Sequence, residues 1–122
     1  MSIWRYVRGV ARASTTSDVF NAVGDVHRRA ILDVLLTGEK AVGAIVGDVS
    51  MSQPQVSRHL RVLGEVGLVK CRAEGRRRLY RLAPEQLQPI QDWVAKYERA
   101  INNRLDRMGD YLEELQRQGE GP

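Results

Sequence analysis

The chain has 122 residues, 43% of them hydrophobic and 28% charged, with a formal net charge of +4. That length suits one globular domain with room for a long appendage, and the composition argues against wholesale disorder. Its apolar runs are only a few residues long, well short of the ~20 needed to span a bilayer. No continuous apolar segment follows the arginines of MSIWRYVRGVARASTTS, which is therefore a poor secretory signal. A cytoplasmic protein with no membrane partner is expected. Cys71 stands alone, so it has no partner for an internal disulfide and supplies no metal-ligand spacing.

The positive charge is concentrated. Residues 52–81 hold eight basic side chains against Glu65 and Glu74, a net of +6, while the remainder holds 11 basic and 13 acidic residues, a net of −2. A solvated face is the bland explanation of a basic cluster. Excess charge this localised points instead to nucleic acid.

In chain order, residues 1–16 read as an N-terminal arm with a short helix around residues 4–10. Ser17 or Asp18 then caps a helix holding Val19, Phe20 and Val23, which Gly24 breaks. Asp25 caps HRRAILDVLL, with Ile31, Leu32 and Leu35 at helical spacing, and Thr37-Gly38 ends it. AVGAIVGDV is a weaker helix with Val42, Ile45, Val46 and Val49 inward. Its two glycines each cost roughly 1 kcal/mol relative to alanine, so packing must hold it.

MSQPQVSRHL carries the clearest local signal. Ser52 is a good N-cap, Gln55 three residues on completes a capping box, and Pro54 falls in the tolerant first turn. Val56, Leu60 and Leu63 form a narrow inward stripe. Pro54, Arg58 and Arg61 point away from it, and Gln53, Gln55 and Ser57 flank it. Gly67 stops the helix. LVKCRA and RRLYRL then read as two strands around Glu74-Gly75-Arg76, a hairpin.

Pro84 and Pro89 precede the last element. Leu87, Ile90, Val94, Tyr97, Ile101, Leu105, Met108, Leu112 and Leu115 recur at steps of three and four, predicting a helix over residues 89–116. Such a helix spans ~42 Å, longer than the small core before it. Its stripe requires a partner, most simply a second copy of the chain.

The fold class is thus mainly α with a small β-hairpin wing, in the order α-α-α-α-β-β-α. Residues 1–16 are the arm, 17–83 a winged helix-turn-helix core, 84–118 the long helix of the same domain, and 119–122 a tail. Glutamine amides bond bidentately to adenine and arginine to guanine, while serine and a helix N-terminus suit phosphate.

GDVHRRAILDVL, followed by SMSQPQVSRHLRVLGEVGLVKCRAEGRRRLYRL, resembles the ArsR-type (arsenic-repressor-like) winged-helix repressors over about residues 18–97. The resemblance implies a homodimer built from the first and last helices, with paired recognition helices on double-stranded operator DNA. It maps the recognition helix onto residues 52–66 and the wing onto 69–82. The DNA-binding candidates are Ser52, Gln53, Gln55, Ser57, Arg58, His59 and Arg61 on the helix, with Arg76, Arg77, Arg78 and Tyr80 on the wing. The dimer-interface candidates are Phe20, Ile90, Trp93, Val94, Tyr97, Ile101, Leu105, Met108 and Leu112.

Many such relatives sense metals through a cysteine pair on the helix before the recognition helix, or through His and carboxylates on the last helix. Here the former reads AVGAIVGDV and the latter lacks His. His27, His59 and Cys71 are widely spread, whereas imidazole and thiolate ligands normally come grouped. No metal site and no cofactor is expected, and the match is to the metal-independent members, with an unidentified small-molecule inducer as a further partner.

Several residues keep two readings. Cys71 is a small buried hydrophobe, or a redox switch if exposed with a lowered pKa. His59 packs or touches phosphate, and Arg28 and Arg29 reach phosphate or an internal acid. Trp93 and Tyr97 fill a dimer core or line a ligand pocket. Arg5, Arg8 and Arg12 contact DNA or pack on the dimer. The competing function is a winged-helix interaction module that binds an acidic protein. An enzyme is not expected, because no glycine-rich phosphate loop, activated nucleophile or paired carboxylate is present, and Glu113-Glu114 read as solvated surface.

Overall fold

Helix α2 (Val26–Leu35) turns Ile31, Leu32 and Leu35 into the same core that receives Ile45 of α3 (Val42–Asp48) and Val56, Leu60 and Leu63 of α4 (Gln53–Glu65). This computed structural model describes Arg5, Tyr6 and residues 15–119. Helix α1 (Thr15–Val23) closes the core with Val19 and Ala22. It starts ahead of the Ser17 or Asp18 cap that the sequence suggests.

Asp25 caps α2 as expected. Its Oδ1 accepts from the backbone N–H groups of His27 and Arg28, at 2.8 and 3.1 Å. The next two side chains turn back to α1. Arg28 donates to the carbonyls of Ala22 (2.7 Å) and Asn21 (3.1 Å), and Arg29 donates to that of Val23 (2.7 Å). Cations at a helix C-terminus satisfy its orphan carbonyls and meet the negative end of its dipole. Arg28 and Arg29 therefore serve the α1–α2 corner, a role that neither sequence reading proposed, while Arg28 also meets an internal acid as one reading expected, 3.9 Å from Asp25 Oδ2.

The hairpin forms between β3 (Val69–Glu74) and β4 (Arg77–Leu82), with Glu74 opposite Arg77. Gly75, first of the two turn residues, has φ +63°, whereas no non-glycine among the described residues has positive φ. That pattern is the one a type II′ hairpin needs.

Two short strands widen the hairpin into a sheet of order β1-β3-β4-β2. Strand β2 (Lys40–Ala41) lies beside β4, and β1 (Arg5–Tyr6) pairs antiparallel with β3, Arg5 opposite Cys71. The short helix suggested for residues 4–10 is thus corrected at Arg5 and Tyr6, where the backbone is extended; the rest of that stretch lies outside the described residues. The outer edge of β3 would otherwise leave N–H and C=O groups unpaired, and Arg5 and Tyr6 cover it at Cys71 and Lys70.

The chain divides into two units, Met1–Pro89 and Ile90–Pro122. After a 3₁₀ turn (Pro84–Leu87) helix α5 runs Gln88–Gly119, 32 residues, or ~48 Å. Every residue from 95 to 119 is exposed. None of the described helices is long and apolar enough to cross a membrane.

Helix α3 retains its glycine cost. A Cβ added at Gly43 or Gly47 would meet nothing within 4 Å, so alanine gains helix propensity without a clash. Gly43→Ala and Gly47→Ala should each raise unfolding stability by about 0.5–1 kcal/mol, read as an upward shift of the thermal midpoint by circular dichroism.

Candidate nucleic-acid interface

Helix α4 is held at both ends by its own sequence. At its start Ser52 Oγ accepts from Gln55 N–H (3.4 Å), and Gln55 Oε1 accepts from Ser52 N–H (3.0 Å) and from the Ser52 hydroxyl (3.2 Å). At its end Gly67, φ +82°, donates to Gly64 (3.1 Å) while Leu68 N–H donates to Leu63 (3.0 Å). This is a Schellman closure, with Leu63 and Leu68 both fully buried at its apolar contact. With both ends tied and one face buried, the opposite face is fixed in direction. Ser52, Gln53, Gln55, Ser57, Arg58 and Arg61 are all exposed on it, and His59 is half-buried at its flank.

The cap changes the standing of one glutamine. Bidentate reading of adenine needs the amide oxygen as acceptor and the amide nitrogen as donor. Gln55 has committed its oxygen to the cap, so it has only its NH₂ to offer while the box is closed. Gln53, one residue into the helix and exposed, keeps both groups outward-facing in chemistry.

The wing arginines divide in the same way. Arg72 makes a two-pronged contact with Glu39, Nε to Oε2 at 3.1 Å and Nη2 to Oε1 at 2.7 Å, and reaches Glu74 at 3.1 Å. Arg77 donates to the other Glu74 oxygen at 3.0 Å. The hydrogen bond from Arg77 holds the Glu74 carboxyl below its ordinary range, helped by Arg72. Arg77, a predicted wing-tip contact, is therefore already paired. Arg76 sits exposed in the turn, and Arg78 is exposed two residues before Tyr80 on β4. Burial raises the Tyr80 pKa against the opposing pull of Arg78, and Tyr80 is half-buried. Glu39 and Arg72 escaped sequence reasoning because nothing local links residues 33 apart.

Cys71 is buried in β3 opposite Tyr80, which suits the small-hydrophobe reading. His27 and His59, dispersed in sequence, meet in space with their rings stacked 5.9 Å apart at 11°. Of the dimer candidates, Phe20 is half-buried on α1, and the other eight lie along α5. Trp93 and Tyr97 touch edge-on at 5.3 Å. Tyr111, also exposed on α5, is absent from that set.

Residues 25–70, from the α2 cap to the start of the wing, match the sequence model described as "Bacterial regulatory protein, arsR family". The transcriptional repressor SdpR of Bacillus subtilis is 30% identical over 89 residues, covering 73% of this chain and 99% of SdpR. The chain belongs to the ArsR family. A second relative, the HTH-type transcriptional regulator Rv2034 of Mycobacterium tuberculosis, is 44% identical over 68 residues, and the match spans 56% of this chain but only 64% of Rv2034.

Among solved structures, the ArsR-like fold recurs in Mb0332 of Mycobacterium bovis, described as a homodimeric winged helix-turn-helix DNA-binding domain. It is 36% identical, with a TM-score of 0.57, and the match covers 69% of this chain and 81% of that one. This ArsR-family chain is accordingly a transcriptional regulator with a winged helix-turn-helix DNA-binding domain, α3 and α4 forming the helix pair and β3–β4 the wing.

The capping box sets the start of the exposed face. Ser52→Ala should cost about 1 kcal/mol of unfolding stability, measured by urea denaturation, and should free the Gln55 amide at the same time.

Proposed function

We propose that this ArsR-family regulator is a homodimeric, sequence-specific repressor that occludes a promoter in the cytoplasm. The observation that carries the reading is α4 itself: a helix capped at both ends, its apolar stripe buried and its opposite face lined by exposed amide, hydroxyl and guanidinium groups. Gln53, Ser57 and Arg58 read base edges in the major groove, Ser52, His59 and Arg61 serve the backbone, and Gln55 contributes chiefly as the cap. On the wing, Arg76 and Arg78 approach phosphate or the minor groove, Tyr80 supports Arg78, and Arg77 joins only by leaving Glu74.

Dimerisation is supported by α5. Its large apolar residues from Trp93 to Leu115, half-buried Val94 apart, remain 44–64% exposed, too much contiguous apolar surface to leave in water. Ile90, Trp93, Val94, Tyr97, Ile101, Leu105, Met108 and Leu112 are the proposed seam on α5, and Phe20 is the proposed interface residue on α1. Two recognition helices related by a twofold axis would meet major grooves roughly 34–36 Å apart. DNA binding does not call on the ligand positions of metal-sensing relatives, since α3 has neither Cys nor His and α5 has no His. The inducer is a small molecule of unidentified class, and no catalytic role is proposed.

The test is fluorescence anisotropy of a duplex from the gene's own upstream region against a scrambled duplex at two salt concentrations. The native duplex should be preferred, and affinity should fall with a log–log slope near 0.9 for each phosphate neutralised. Equal, weak, salt-insensitive binding to both would favour the acidic-protein partner. Gln53→Ala should erase part of the sequence preference, by about 1–3 kcal/mol, whereas Arg76→Ala should weaken both duplexes alike and reduce the salt slope by about 1. Ile101→Glu with Leu105→Glu should give monomers on size-exclusion chromatography with light scattering, and operator binding should be lost with the dimer.

A further inference from the structure

The two histidines of the chain are separated by most of α2, all of α3 and half of α4, yet the fold brings them to one place. Asp25 is the cap of α2, His27 lies in its first turn, and His59 projects from the flank of α4. One donor atom from each of these three residues lies within 4.8 Å of the other two. His27 Nδ1 is 3.6 Å from Asp25 Oδ1, and the imidazoles stack face to face. Helix packing sets this convergence, because α4 packs on α2 and Leu60, the neighbour of His59, is buried in the core.

We propose that Asp25, His27 and His59 form a binding site for one divalent transition-metal ion of the zinc class. Two imidazole nitrogens and one carboxylate oxygen select zinc, nickel or copper over magnesium and calcium, which prefer all-oxygen shells. Three protein ligands leave a fourth, open position for water or a small anion. In a tetrahedral site with bonds of about 2.0–2.1 Å the donors stand roughly 3.3–3.5 Å apart, so the three groups must draw together by no more than about 1.5 Å. His27, whose side chain is 58% exposed on the first turn of α2, has room to supply that movement. Asp25 Oδ1 accepts the two cap hydrogen bonds and is the oxygen 3.6 Å from His27 Nδ1, while Oδ2 lies 3.9 Å from an Arg28 nitrogen; a metal ion would share Oδ1 with the cap or take Oδ2 from Arg28.

Neighbouring charge limits the affinity. Arg28 and Arg58 both lie close enough to act on His59, and they oppose a second cation. Arg28 is bonded to Ala22 and Asn21 of α1 yet keeps another nitrogen 3.9 Å from Asp25 Oδ2, so a metal ion would compete with it for that oxygen. A bound ion would pin α4 to the start of α2. The family's ligand positions on α3 and α5 take no part, so the absence of Cys and His there does not bear on it.

The experiment is a competition titration of the full chain with zinc against a chromogenic chelator, with cobalt substitution as a spectroscopic check. One zinc per chain is expected, with low-symmetry visible bands for cobalt. His27→Ala, His59→Ala and Asp25→Asn should each weaken zinc at least tenfold, while Cys71→Ser leaves it unchanged. Asparagine retains N-cap capacity, so Asp25→Asn separates the ligand from the cap, and circular dichroism verifies that each variant is folded. Unchanged zinc affinity in folded His27→Ala and His59→Ala would overturn the site, as would a loss confined to Cys71→Ser. The titration contains no DNA, so its outcome is independent of whether the repressor reading holds.

Discussion

Burial of one narrow stripe orients the whole exposed face of α4. Val56, Leu60 and Leu63 are at most 1% exposed, and through them α4 packs against α2, α3 and β3. A helix has one orientation in which these three residues can all be dry. Once they are, Gln53, Ser57, Arg58 and Arg61 have no choice but to face water. The capping box and the Schellman closure add a second constraint, since they set where the rigid surface begins and ends. The exposed side chains on α4 are thus positioned by residues buried on its other face.

The wing is built on a different principle, that of charge partition. Its arginines look equivalent in composition, but Glu39 and Glu74 take two of them. Arg72, held by both carboxylates, ties β3 to the segment before β2, and Arg77 is tied to the hairpin's own opposite strand. Exposed pairs of this kind contribute little stability. Their consequence is selective: Arg76 and Arg78 remain as the wing's outward cations, and the basic face is narrower than the charge count suggests. The same economy appears at the α1–α2 corner, where Arg28 and Arg29 satisfy helix carbonyls.

Helix α5 has the reverse problem, with apolar surface that its own unit does not cover. Residues 95–119 are exposed throughout, on both the polar and the apolar face. An amphipathic helix of this length draws most of its stability from packing rather than from propensity. Covering that apolar stripe would therefore stabilise the helix itself, which is what the proposed homodimer would supply.

Much of this was legible in the sequence because its causes are local. Ser52, Gln55 and Gly67 signal the ends of α4 within a few residues, Asp25 caps its own helix, and Gly75 supplies the positive φ of a two-residue turn. Periodicity named the buried residues of α2 and α4, and the stripe of α5. Tertiary structure decided what depends on neighbours distant in the chain. It paired Arg5 and Tyr6 with the open edge of β3, gave Arg72 its Glu39, turned Arg28 and Arg29 onto α1, and stacked His27 on His59. Caps, turns and amphipathic faces act over one or two helical turns and leave a mark in spacing. Edge pairing, long-range ion pairs and side-chain clusters arise only when helices and strands pack, and no spacing rule in one chain encodes them.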